Sequence, residues 1–257
     1  MKRYGLIGER LGHSYSKVIH EQLASYTYDL IPLNKEEFHD FMSRKEFSGI
    51  NVTIPYKCDV LPYLDHLDKS AAHVGAVNTI VNKDGTLTGY NTDYSGFLYT
   101  LEAHNIKIKE EKVLVLGYGG ASKAILAVLK DLGASEIIIA NRTLKDGVVS
   151  YEEAINSHND VTVIINTTPV GMYPNTDASP IDLSHFGNLS AVVDIIYNPL
   201  KTKLLLQAEA QGIIAVNGLE MLIAQAKDAC QYFLDTSLPE SKITEILAQL
   251  EAELKTK

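Results

Sequence analysis

Apolar residues recur along the chain in two alternating rhythms. Short aliphatic runs of four or five residues are separated by longer stretches with an apolar residue at every third or fourth place. Side chains repeat every two residues on a strand and about every 3.6 on a helix, so the runs read as strands and the stretches as amphipathic helices. Strands are predicted at Tyr4–Gly8, Leu30–Leu33, Gly49–Thr53, Ala76–Val81 and Thr86–Tyr90, then at Val113–Leu116, Ile137–Ile139, Val161–Ile165, Ala191–Ile196 and Ile213–Val216. Helices are predicted over Ser14–Ser25, Lys35–Met42, Lys57–Leu64, Leu67–His73 and Tyr94–His104. Four more follow over Ala121–Leu132, Lys203–Ala210, Glu220–Leu234 and Ser241–Leu254. Ser14 or Ser16 suits the first helix as a cap. Pro55 stops the third strand, because proline cannot donate to a ladder. Asp84-Gly85 is a hairpin signal. Alternating strand and helix predicts an α/β fold with largely parallel sheets.

Composition narrows this picture. A chain of 257 residues accommodates one large domain or two small ones. Hydrophobic residues make up 46% and charged residues 21%, enough apolar material for a core. The formal net charge of −9 disfavours a nucleic-acid partner, so any anionic ligand must be held by local groups. Cys58 and Cys230 lack the C-x-x-C spacing of a metal or redox site, and the eight histidines show no H-E-x-x-H. No metal site is expected. No run approaches the roughly 20 apolar residues that span a bilayer. Met1-Lys2-Arg3 leads into only five uncharged residues before Glu9, which is not a leader pattern. The expected address is the cytoplasm.

The second half opens with a dinucleotide-type turn. Gly117-Tyr118-Gly119-Gly120-Ala121 follows a four-residue aliphatic strand and starts a helix. Glycines permit a tight turn and let backbone N–H groups approach a pyrophosphate, and a helix N-terminus adds about half a positive charge. The strict G-x-G-x-x-G pattern is not met, since Ser122 stands last. A glycine turn that only packs a helix on a strand fits the same residues. The next strand ends in Asn141, Arg142 and Thr143. An acidic residue there would hold the ribose 2′-OH of NAD, whereas an arginine fits a 2′-phosphate, so NADP is favoured, with Asp146 keeping NAD open.

The first half carries polar groups at strand ends, where α/β proteins place ligands. Asn51-Val52-Thr53-Ile54-Pro55-Tyr56-Lys57 ends a strand and offers a hydroxyl and a mobile proton donor. Lysine titrates near about 10.4 and desolvation lowers it, so Lys57 could protonate an alkoxide as hydride reaches a ketone. An exposed first-turn lysine fits the spacing equally. Asn78 lies in a strand, and Asn91-Thr92-Asp93 ends the next, although Asn and Asp are poor strand residues. Asp93 also suits an N-cap. His13-Ser14-Tyr15-Ser16 precedes a helix, and its hydroxyls could hold a carboxylate or simply cap the helix. A cleft between two such halves would be a natural ligand site.

In this order the pieces resemble the shikimate dehydrogenase family over nearly the whole chain. The matching segments are H-S-x-S at His13–Ser16, N-V-T-x-P-x-K at Asn51–Lys57, G-A-V-N-T at Gly75–Thr79 and N-T-D at Asn91–Asp93. G-x-G-G-A at Gly117–Ala121, N-R-T at Asn141–Thr143 and G-L-x-M-L-x-x-Q-A at Gly218–Ala226 complete the series.

The resemblance implies two domains. Residues 1–94 would form an α/β substrate-binding domain, completed by C-terminal helices in 219–257, and residues 95–218 a Rossmann-like NADP-binding domain. It implies reversible NADPH-dependent reduction of 3-dehydroshikimate to shikimate, in aromatic amino acid biosynthesis. Lys57 would be the general acid in reduction and the base in oxidation. Asp93 would hydrogen-bond Lys57 and the reacting hydroxyl. Ser14, Ser16 and Tyr197 would hold the carboxylate, and Thr53, Asn78, Asn91 and Gln225 the hydroxyl face. Gly117, Tyr118, Gly119, Gly120 and Ala121 would wrap the pyrophosphate. Asn141, Arg142 and Thr143 would take the 2′-phosphate, and Ile195 and Gly218 would lie beside the nicotinamide. Monomer and homodimer both remain open.

Three departures stand out against the family pattern. Lys17 replaces a usual proline, Tyr118 a small residue, and Asp146 a frequent basic residue, with Lys145 one place early. The chain after Thr143 is short by about one helix. A reduced cofactor domain near the adenine end, with weaker cofactor binding, is therefore expected. Rival readings are a quinate or quinate/shikimate dehydrogenase using NAD, a non-catalytic ligand sensor, and a folate-type dehydrogenase, the last disfavoured by the paired serines.

Overall fold

The computed structural model describes residues 3–12 and 14–255. The chain divides into two compact units, the first from the residues up to Phe97 with Leu222–Ile246, the second from Leu98–Met221 with the residues from Leu247 on. The expected assignment of all of 219–257 to the first unit differs from this. Helices α8 (Leu219–Leu234) and α9 (Ser241–Lys255) each run from one unit into the other.

The first unit is built on a six-stranded sheet in the order β2-β1-β3-β5-β6-β4. Its strands are β1 (Tyr4–Gly8), β2 (Tyr28–Pro32), β3 (Gly49–Val52), β4 (His66–Leu67), β5 (Thr79–Lys83) and β6 (Thr86–Tyr90). The sheet is mixed, not largely parallel: β1 runs parallel to β2 and β3, whereas β5 is antiparallel to β3 and β6. The cause is local. Asp84 and Gly85 both have positive φ, 53° and 88°, the two-residue turn that reverses a chain with the twist of its strands. Alternate residues face opposite sides. Ile7, Ile50 and Ile80 pack with Phe38 and Met42 of α2 (Lys35–Arg44), and Leu6, Tyr28 and Val81 pack with Phe233 of α8.

Two predicted helices change. Over Lys57–Leu64 the chain makes turns and one 3-10 turn at Leu61–Tyr63, since Pro62 has no N–H to donate and bars the α conformation in the residue before it. The next helix, α3 (Lys69–Val74), starts two residues late, because Asp68 caps it by accepting from the Ser70 N–H at 2.9 Å, and His66–Leu67 pairs with β6 instead. Helix α1 (Ser16–Leu23) has no side-chain cap: the Ser14 hydroxyl accepts from the Ser16 N–H at 3.2 Å and donates to the Ser16 hydroxyl at 3.0 Å.

The second unit holds a five-stranded, all-parallel sheet in the order β11-β10-β9-β7-β8. It comprises β7 (Lys112–Leu116), β8 (Glu136–Ala140), β9 (Val163–Asn166), β10 (Ala191–Asp194) and β11 (Ile214–Val216). Val113 to Leu116 are all fully buried, as expected of a strand covered on both faces. Helices α5 (Ser122–Asp131) and α7 (Lys203–Ala210) belong to this unit. The order reverses between β7 and β9, so the ends of these two strands open at a topological switch point. After β8, residues 141–148 contain no helix, and Val149 makes a single parallel bridge to Ala140. A short helix, α6 (Tyr151–Ser157), capped by Ser150, then crosses to β9. The connection was expected to be short by about one helix, yet it carries this seven-residue crossover helix.

Candidate functional site

In the first unit, β3 delivers Thr53, and a tight turn delivers Lys57. Tyr56 anchors that turn: its ring stacks on Phe38 at 4.2 Å and its hydroxyl donates to the Leu33 carbonyl at 2.7 Å. The Lys57 carbonyl accepts from the Val77 N–H at 2.8 Å. The lysine backbone is thus fixed from both sides, and its side chain reaches across to α4 (Thr92–Ala103). Lys57 Nζ lies 2.5 Å from Asp93 Oδ2, and each side chain is only 11% exposed. Asp93 sits in the first turn of α4, where the helix dipole favours an anion. Its other oxygen, Oδ1, accepts from Asn78 Nδ2 at 3.0 Å.

The remaining predicted residues of this unit lie around the pair. Asn78 is buried; its amide also donates to Thr92 Oγ1 at 3.0 Å, and its oxygen accepts from the Thr92 N–H at 2.7 Å. A substrate hydroxyl must share these partners. Asn91 donates one amide hydrogen to the Ala76 carbonyl at 2.9 Å and accepts from the Tyr94 N–H at 3.3 Å, which leaves one hydrogen for a ligand. Gln225, on α8, donates to the Leu222 carbonyl at 2.8 Å and accepts from Thr92 Oγ1 at 3.4 Å. Ser14 and Ser16 are joined hydroxyl to hydroxyl at the start of α1. His13 of the H-S-x-S segment lies outside the described residues. Asn51, Thr79 and Thr92 lie inside the matched sequence segments but carry no expected role there; they are buried beside Asn78.

In the second unit, Gly117 follows β7 with φ +94°. A Cβ there would lie 2.8 Å from Thr168 Cγ2 and 2.9 Å from Thr167 Oγ1, so only glycine fits where the ends of β7 and β9 meet. A Cβ on Gly119 would meet nothing within 4 Å. No side chain caps α5, whose first N–H groups follow that open glycine turn. An uncapped helix start of this kind fits a phosphate. Beyond β8, Asn141 donates to the Thr143 carbonyl at 3.3 Å, and Arg142 and Thr143 are exposed. Lys145 places its ammonium 3.6 Å from the centre of the Tyr118 ring, a cation–π contact. Two cations therefore stand on this loop against the one carboxylate of Asp146. Gly218 donates to the Ile196 carbonyl at 3.0 Å, and a Cβ on it would lie 1.9 Å from the Ile195 oxygen, so the ends of β10 and β11 demand glycine too. Tyr197 follows β10, half-buried. Among the described residues no group of three or more His, Cys, Asp or Glu could hold a metal ion, and no helix is long and apolar enough to cross a membrane.

Residues 6–80 match the family described as the shikimate dehydrogenase substrate binding domain. A shikimate dehydrogenase (NADP(+)) of Clostridium beijerinckii is 37% identical over 260 residues, which cover 95% of this chain and 96% of the relative. This chain belongs to the shikimate dehydrogenase family. Its fold matches the crystal structure of a chorismate mutase/shikimate 5-dehydrogenase fusion protein from Clostridium acetobutylicum, with a TM-score of 0.92, 39% identity and 99% of each chain covered. It also matches the Thermus thermophilus shikimate 5-dehydrogenase in complex with NADP(H) and shikimate, with a TM-score of 0.84, 31% identity, and 95% of this chain and 98% of the other covered. The segments that carry the resemblance in the sequence are thus the ones that hold the Lys57–Asp93 pair and the glycine turn of this family member.

Proposed function

We propose that this chain is an NADP-dependent shikimate dehydrogenase, which reduces the ketone of 3-dehydroshikimate to the alcohol of shikimate and runs in both directions. The observation that carries the reading is the buried Lys57–Asp93 pair in a chain 37% identical to a shikimate dehydrogenase (NADP(+)) over 95% of its length. The first unit takes the substrate. The Ser14 and Ser16 hydroxyls receive its carboxylate. Thr53, Asn91 and Gln225 bind its hydroxyls, with Asn78 sharing its amide beside Asp93. Lys57 donates a proton to the oxygen as the carbonyl carbon is reduced and takes it back in oxidation. Asp93 accepts from Lys57 and from the substrate hydroxyl, and so holds the ammonium on the reacting oxygen.

The second unit takes the dinucleotide. Gly117 to Ala121 and the start of α5 receive the pyrophosphate, and Ile195 and Gly218 flank the nicotinamide. Asn141, Arg142 and Thr143 receive the 2′-phosphate, for which an arginine is suited. When bound, NADPH supplies the hydride. Two free cysteines are in keeping with a protein of the cytoplasm.

The test is nicotinamide absorbance during incubation of purified protein with shikimate and NADP, repeated with NAD and with quinate. Turnover with shikimate and NADP, and little with NAD, is expected. Turnover with NAD alone overturns the cofactor assignment, and turnover with quinate alone overturns the substrate. Lys57→Ala is expected to lower kcat by about a hundredfold or more with little change in shikimate binding; unchanged kcat removes Lys57 from the mechanism.

A further inference from the structure

Asn78 holds the Asp93 carboxylate, and it is itself held by a line of buried groups that runs back through the sheet of the first unit. Tyr28, at the start of β2, places its hydroxyl 2.7 Å from Asn51 Oδ1. Asn51 Nδ2 donates to Thr79 Oγ1 at 2.9 Å, across the register that pairs Asn51 of β3 with Thr79 of β5. Thr79 Oγ1 lies 3.0 Å from Asn78 Oδ1, and Asn78 Nδ2 donates to Asp93 Oδ1 at 3.0 Å. All of these side chains are buried.

The orientations of the two amides are set by groups with one role only. The Thr92 N–H can only donate, and it lies 2.7 Å from Asn78 Oδ1; the amide nitrogen of Asn78 must therefore face Asp93. The Asn78 carbonyl can only accept, and it lies 3.2 Å from Asn51 Nδ2; the oxygen of Asn51 must face Tyr28 and take its proton. Thr79, receiving from Asn51, has its own proton for Asn78. Thr92 Oγ1 receives from Asn78 Nδ2, and its own proton has Asn78 Oδ1 at 3.3 Å, Thr79 Oγ1 at 3.2 Å and Gln225 Oε1 at 3.4 Å within reach. From Tyr28 through Asn51, Thr79 and Asn78, the geometry lets each donor point toward Asp93.

From this arrangement we infer that Thr79 and Asn51 are positioning residues of the reaction, which act through Asn78 to fix the Asp93 carboxylate so that Oδ2 faces Lys57. The inference rests on the functional reading above. A directional chain ending on an anion polarises each of its bonds toward the charge, and a buried group left without its partner carries the cost of its desolvation. With Oδ1 taken by Asn78, the carboxylate cannot turn, and Lys57 meets one defined oxygen. The far end of the chain is chemically constant. Burial pushes the Tyr28 phenol well above its usual range, and it pushes His20, stacked on Tyr28 at 4.0 Å, down to about 3. Neither ring changes charge across the working range, so the chain begins at a permanent donor.

The experiment uses the full chain and the shikimate–NADP assay. Thr79→Val keeps the side-chain shape and removes the hydroxyl; kcat is expected to fall about tenfold, by analogy with groups that orient metal ligands, with KM for shikimate and NADP unchanged within about twofold. Thr79→Ser is expected to restore most of the loss. Tyr28→Phe, at the far end, is expected to lower kcat less, again at constant KM, and it decides the matter should Thr79→Val not fold. Wild-type kcat in both folded variants overturns the inference. So does a loss shared equally by kcat and substrate binding, or one that serine does not restore, since either is the mark of packing alone. A wild-type protein without turnover removes the functional reading and this inference with it, whereas active wild-type protein with indifferent variants removes this inference only.

Discussion

Two buried carboxylates show how differently this protein treats the same group. Asp93 has a lysine ammonium at 2.5 Å and an amide at its other oxygen. Removing either member of such a pair leaves a buried charge uncompensated, which makes the pair costly to break whatever its net contribution. Asp194, fully buried at the end of β10, has no cation among its bonded partners. It accepts from Asn166 Nδ2 at 2.9 Å, the Ile196 N–H at 3.1 Å and Thr202 Oγ1 at 2.7 Å. Burial outweighs these three donors and pushes its carboxyl up to about 6. The consequence has a definite sign. Between about pH 4 and about pH 6 the folded protein binds a proton that the unfolded chain has released, so stability falls as pH rises through that window and levels off above it. The full effect is on the order of 3 kcal/mol. In Asp194→Asn, whose amide can donate to Thr202 and still accept from Asn166 and Ile196, this contribution is absent. Urea unfolding of both proteins across that window is expected to show the wild type losing its relative advantage as pH rises. A gap that stays constant with pH would mean that Asp194 is ionised throughout.

At the scale of elements, the turn after β7 carries the clearest requirement. Gly117 combines φ +94° with two side-chain neighbours that a Cβ would overlap, at 2.8 and 2.9 Å. Gly117→Ala is expected to cost more than about 1 kcal/mol of stability and to displace the start of α5, with dinucleotide binding weakened about tenfold or more. A fluorescence titration with NADPH measures this; undiminished affinity would take the turn out of the site. Gly119, with open space around it, is the contrasting position. The need for this glycine was legible in the sequence because a strand, a glycine cluster and a helix stood in order. Most elements were legible for the same reason, a clear apolar rhythm between stops. The Lys57–Leu64 stretch misled because Val60, Leu61 and Leu64 imitate a helical face, while Pro62 denies the hydrogen bonds a helix needs. Asn51 and Thr79 were illegible as partners. They meet only through the antiparallel register of β3 and β5, and a shift of one residue would turn them to opposite faces.

The whole molecule combines two sheets, each with its own apolar core: one mixed, carrying the Lys57–Asp93 pair, and one parallel, carrying the glycine turn. The net charge of −9 does nothing to attract either anionic ligand, so binding depends on local groups. The groups proposed for this are hydroxyls at the start of α1 in the first unit, and a helix N-terminus with Arg142 and Lys145 in the second. Perturbations that share no partners add independently. Lys57→Ala, confined to a turn of the first unit, is therefore expected to leave the dissociation constant for NADPH within about twofold of wild type. Gly117→Ala is expected to leave the affinity for shikimate, measured without nucleotide, equally unchanged. Because residues 141–148 form a loop without a helix, the wild-type dissociation constant for the nucleotide is itself expected to lie above the low-micromolar range. Calorimetric titration of both ligands into the three proteins checks all of this at once. A Lys57→Ala protein that binds NADPH much more weakly would show that the two ligand sites are energetically joined before any substrate is present, and the division of labour between the two sheets would have to be abandoned.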